Sequence, residues 1–192
     1  MGDENPPLNK TINIMSSCYI SSGVQLGCSD GIGGINYIYI LGGASGATVS
    51  GVTYDANDEI TGATGNGTFY KFALKRNTSV LDQAVNKNFA NGTIYYTPTL
   101  KVVFYYYQAS LRDQVLLLAK NDNLQVIAVD RNGTQYMLGL TNGLYISAGT
   151  ASSGTQFADR NGWEITFTGE EPLLAPIISG SLSSVFSGFT FA

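Results

Sequence analysis

The chain has 192 residues, 44% of them hydrophobic but only 12% charged, about half the ~25% of ordinary soluble proteins. Its 14 acidic residues outnumber its 10 basic ones, and no basic run exceeds Lys75-Arg76, which argues against a nucleic-acid binder that must neutralise phosphates. Histidine is absent, which removes Ser-His and Cys-His nucleophile pairs, the imidazole base and the usual catalytic zinc sets, so the chain is not read as an enzyme.

In chain order, residues 1–34 are polar and Gly/Ser-rich and read as an arm or irregular loop. Residues 35–171 read as the main domain, and residues 172–192 as an extension that docks on a neighbour. The run from Ile35 to Leu41 is β-branched and aromatic and stops at Gly42-Gly43, which predicts a first full strand. Short apolar pieces at residues 48–54 and 59–61 flank Asp55-Ala-Asn-Asp58 and suit a hairpin with a polar tip. Residues 68–76 form a strand with Tyr70, Phe72 and Leu74 on one face. After the Asn91-Gly92 turn, residues 93–108 form a long strand with bulky residues on both faces, so both faces need cover.

Ser110 caps the one predicted helix, with Leu111, Val115 and Leu118 on its apolar stripe, Leu116 and Leu117 widening it, and Lys120 near its C-terminal end. Strands over 124–130, 134–140, 144–150 and 162–168 follow, the first three separated by Asn-Gly turns. The pattern predicts a mainly β fold, a sandwich or barrel with one flanking helix.

The motifs with chemical potential are weak. Gly31-Ile-Gly-Gly34 and Gly42-Gly-Ala-Ser-Gly46 lack the helix and the Gly-Lys-Ser/Thr ending of a phosphate cradle. Asp55, Asn57 and Glu59 alternate as calcium ligands do, but Ile60 stands where that loop needs Gly. Glu170-Glu171, preceded by Glu164, reads as a solvated or interface-facing acidic edge. Trp163 and the tyrosines read as core or interface packing rather than a sugar platform. Asn9, Asn66, Asn77, Asn91 and Asn132 fit the N-glycosylation pattern, which counts only in an exported eukaryotic chain. Cys18 and Cys28 are too far apart for a CxxC pair and read as reduced thiols, a disulfide being sterically possible in an oxidising compartment. No metal, cofactor or catalytic site is assigned, and neither a secretory signal nor a membrane span is read.

Gly23-Val-Gln-Leu-Gly-Cys28 with Gly33-Gly-Ile35, Gly67-Thr-Phe-Tyr-Lys-Phe72, Asn91-Gly-Thr-Ile-Tyr95 and the helix from Arg112 to Ala119 form one ordered series of motifs. Asp130-Arg-Asn-Gly133, Leu138-Gly-Leu-Thr-Asn-Gly143 and Asp159-Arg-Asn-Gly-Trp163 continue it, ending at Glu170-Glu171. In kind and order these pieces resemble the tail-tube-like virion proteins of tailed bacteriophages. The Phe-rich tail and Tyr105-Tyr-Tyr107 depart from that pattern and fit a specialised neighbour, such as a tail hub or a ring at the neck.

The resemblance implies a β-sandwich or barrel-like domain assembled as a ring, a hexamer, around a channel that double-stranded DNA crosses without being held. Expected partners are further copies and neighbouring tail or neck proteins, and the expected location is the virion tail after synthesis in the host cytoplasm. Candidate interface residues are Tyr95, Tyr96, Tyr105 and Tyr107 with Phe186, Phe189 and Phe191 of the tail. The competing reading is a secreted carbohydrate-binding β-sandwich using Tyr and Trp.

Overall fold

The computed structural model describes residues 23–24, 31–42 and 47–192. The chain divides into Met1–Asp30 and Gly31–Ala192, and every strand and helix described belongs to the second part. Cys18 and Cys28 lie outside the described residues.

The fold is mainly β and built of two sheets. The larger sheet runs β10 (Phe186–Phe191), β3 (Ile60–Ala73), β1 (Ile35–Gly42), β6 (Val126–Asp130), β7 (Gln135–Leu138), with β2 (Thr48–Tyr54) also paired to β3. The smaller is a four-stranded antiparallel sheet in the order β4 (Val80–Asn88), β5 (Thr93–Tyr105), β9 (Gly162–Thr168), β8 (Tyr145–Ser152).

Strand alternation divides the apolar residues between two cores. Ile38 and Ile40 of β1 and Val126 and Ala128 of β6 face one core, where they meet Leu100, Val102 and Phe104 of β5 and Ile165 and Phe167 of β9. Leu41, Ile127 and Val129 point the other way, into a second core with Ile60, Phe69, Met137, Ile178 and Phe186. The near-continuous apolar sequence of β1 and β6 is thus explained by burial on both faces.

The second core is enclosed because the larger sheet curls back on itself. Residues 176–179 bond to β7 through Met137 N–H to Pro176 O and Ile178 N–H to Gln135 O. The same stretch bonds to the head of β3 through Ile60 N–H to Ile177 O and Ser179 N–H to Ile60 O. β3 serves three partners: its first half pairs with β2, its second half with β1, and β10 lies parallel along the opposite side. Gly65 and Gly67 sit where these pairings change over. A Cβ on Gly65 would lie 2.2 Å from the Thr48 carbonyl oxygen and 2.6 Å from the Phe189 ring, at φ +156°.

Several sequence expectations need amendment. The extension from residue 172 forms α2 (Leu182–Val185) and β10, because Phe186, Phe189 and Phe191 find apolar cover beside Phe69 in their own chain. β4 was not foreseen, since an edge strand paired on one side needs little apolar sequence. α1 (Ala109–Leu118) is capped by Gln108, whose carbonyl accepts the Arg112 N–H, and not by Ser110. Of its stripe, Val115 is buried and Leu111 and Leu118 are half-buried, while Leu116 and Leu117 face solvent.

Candidate functional site

The smaller sheet carries the surface features that invite a function. In the described structure β4 and β8 form its two edges, each paired on one side only. β8, of sequence YISAGTAS, has no charged residue and no proline, the usual devices that keep a free edge from pairing with another chain.

Cross-strand partners share a face. Lys101, Thr166 and Ala148 therefore lie on the face turned away from the first core, with Glu164 and Thr150 beside them and Val103 buried among them. Thr99 and Thr168 continue this face on one side, and Val80, Asp82, Ala84 and Asn86 extend it across β4. It is rich in threonine and nearly neutral. Its cation, Lys101, donates to Glu164 at 2.7 Å, and Glu164 also accepts from Arg160 of the preceding loop. These hydrogen bonds, that from Lys101 first, hold the Glu164 carboxyl below its ordinary pKa.

At the end of the sheet where β5 gives way to α1, aromatic residues gather. Tyr106 has φ +71°, a strained value for a bulky side chain. Its N–H donates to Asn161 O, and Lys75 Nζ sits 4.1 Å from the Tyr105 ring centroid and 5.7 Å from that of Tyr106. Tyr107 stacks on Trp163, centroids 5.4 Å apart. Trp163 thus packs partly on the core and partly under Tyr107, which removes the open indole face a sugar platform needs.

The loop joining β8 to β9 stands beyond this end. The Asp159 carboxylate accepts from the N–H groups of Gln156 and Thr155 and from the Thr155 hydroxyl, and these bonds, that from Gln156 first, lower its pKa. Phe157, at the centre of that ordered loop, is wholly in solvent.

Of the candidate interface residues, Tyr95 and Tyr107 are exposed, while Tyr96 and Tyr105 are half-buried. Phe186 is buried and Phe189 and Phe191 half-buried within their own chain, so the sequence groups residues that the fold separates. Glu170 is exposed as expected, but Glu171 is buried, its two oxygens accepting the N–H groups of Thr141 and Asn142. Asp55 closes the β2–β3 turn by accepting from Asn57 and Glu59 N–H. Among the described residues no group of three or more His, Cys, Asp or Glu is placed to hold a metal, and no helix is long and apolar enough to cross a membrane.

Sequence reasoning missed Phe157, Val85 and Ile94, all exposed. The only signal was a lone Phe in an otherwise polar loop. In comparisons with known proteins, no family model, no curated protein and no solved structure matches the chain.

Proposed function

We propose that this chain is a structural subunit of a bacteriophage tail, a tube or hub ring whose subunits join their smaller sheets around a channel for viral DNA. The observation that carries the reading is the smaller sheet itself, with two unpaired edges, one of them uncharged, and a threonine-rich, nearly neutral outer face. Unprotected edges favour pairing with another chain. A neutral lining favours passage, because phosphates held by many cations would stall the DNA. The resemblance of the motif order supports the same reading, in which the protein belongs to the virion with further copies and tail or neck proteins as its neighbours.

Sedimentation and electron microscopy of the purified protein over a range of concentrations test it. Closed rings, six-fold by the resemblance, are the expected result. A monomer that persists at high concentration overturns the proposal.

A further inference from the structure

The β4–β5 hairpin is longer than the core beneath it. Leu81 and Leu100, opposite one another, face the first core, and the same inner face continues outward through Gln83 and Pro98 to Val85 and Tyr96, then Lys87 and Ile94. The chain crosses this face once: Glu171 pairs with Tyr96 at the edge of β5, and Ala175 N–H donates to Gln83 Oε1 at 2.7 Å. Beyond that crossing the hairpin overhangs. Val85 is 59% exposed and Ile94 51%, with Phe89 of the turn and Leu173 and Leu174 of the crossing segment exposed as well.

Phe157 is the counterpart. It is more exposed than any other large hydrophobic side chain among the described residues, at 113% of its reference area. Its loop is held by the three bonds to Asp159, so little ordering entropy remains to be lost on contact. Aromatic side chains presented in this way act as anchors for apolar pockets.

We infer that Phe157 anchors a second copy of this chain, seated on the overhanging hairpin face around Val85 and Ile94. The two features cannot meet within one molecule. The loop springs from the Ser152–Gly162 pair, level with Tyr105, and the eleven steps along β5 from there to Ile94 span about 37 Å at ~3.4 Å per residue. Charge agrees: Lys87 is the cation of the overhang, and Asp159 lies two residues from Phe157. Because the anchor and its seat lie at opposite ends of one sheet, the contact is head-to-tail and each joined pair still leaves one anchor and one seat free, so growth along the strand direction is open-ended. The inference deepens the ring reading and rests on it, for it selects a stacking tube over a solitary hub ring.

The test compares the unaltered protein with Phe157→Ser and Ile94→Asp by sedimentation velocity and electron microscopy. Both positions are exposed, so both variants should keep the parental melting temperature. The unaltered protein should form stacks of rings, and each variant should stop at single rings. Preformed rings of the two variants, mixed in equal amounts, should give paired rings and nothing longer, because one supplies the anchor and the other the seat. Stacks that survive Phe157→Ser, an unaltered protein that never passes single rings, or a mixture without pairs would overturn the inference and leave the ring reading standing. Strings of single subunits, lost in Phe157→Ser, would overturn the ring reading and leave the contact standing.

Discussion

The ring of Phe191 lies stacked on that of Phe69, centroids 5.2 Å apart and planes 11° from parallel, while Phe186 meets the same ring edge-on at 5.5 Å. Phe69 belongs to β3 and the other two to β10, so the pairing of a parallel strand and the filling of the second core are one event. Phe186→Ala should destabilise the fold by about 3–5 kcal/mol, the usual cost of emptying a buried Phe site. Urea denaturation checks this, and an unchanged midpoint would show that the tail adds nothing to the core.

Helix α1 offers a graded comparison. Val115 is buried, Leu118 half-buried and Leu117 62% exposed. Leu118→Ala should cost about 2 kcal/mol, the lower end for a Leu truncation, because the side chain is already partly in water. Leu117→Ser should stay within about 0.5 kcal/mol of the parent. Equal losses at the two positions in thermal melts would place the wrong face against the sheet.

The strands that carry apolar residues on both faces, β1 and β5, were legible in sequence, because burial on both sides leaves an unbroken pattern. The β2–β3 hairpin was legible through the turn chemistry of Asp55. β4 and β10 were not, since VLDQAVNKN sets its apolar residues in adjacent pairs and FSGFTF breaks its phenylalanines with Ser-Gly, so neither alternates as a strand does, and each is defined by the strand beside it. The tail phenylalanines looked free for the same reason: only the register Phe191↔Phe69 reveals their cover. The role of Glu171 was hidden because the N–H groups it accepts, on Thr141 and Asn142, are about thirty residues away in sequence.

Glu171 holds the turn after β7 against the end of the smaller sheet. Glu171→Ala removes the acceptor of two N–H groups on an exposed turn that water can still reach, and should cost about 1 kcal/mol. Glu171→Gln keeps one carbonyl oxygen and should lose less. Denaturant midpoints for the two variants should therefore rank in that order, and a reversed order would contradict the bonding.

Protonation of Glu164 separates it from Lys101 and Arg160. Its folded pKa lies below the ordinary 4.5, so its contribution is complete above that value and is lost as pH falls through the lower folded value. Solvent reaches this ion pair, which keeps the effect small. Glu164→Gln should show a constant stability offset from the parent above about pH 4.5 and a shrinking one below it. A gap that widens on acidification would reverse the assigned sign.

The free protein should not retard double-stranded DNA in a gel at micromolar concentration and near-physiological salt. Lys101 and Arg160, the cations nearest the outer face, are engaged by Glu164, and the chain's net charge is -4. A shifted band that disappears as salt rises would show phosphate contacts and move the protein toward a DNA-anchoring role.

The number of strands in the smaller sheet fixes what any lateral joint can look like. With β4, β5, β9 and β8 each antiparallel to the next, the two outermost strands run in opposite directions. Copies related by rotation about an axis along the strands would bring β8 of one beside β4 of the next in antiparallel sense, so up-down alternation could pass each joint unbroken however many copies take part. One strand more or fewer would force a parallel seam at every joint. Parity, rather than any single side chain, decides that compatibility.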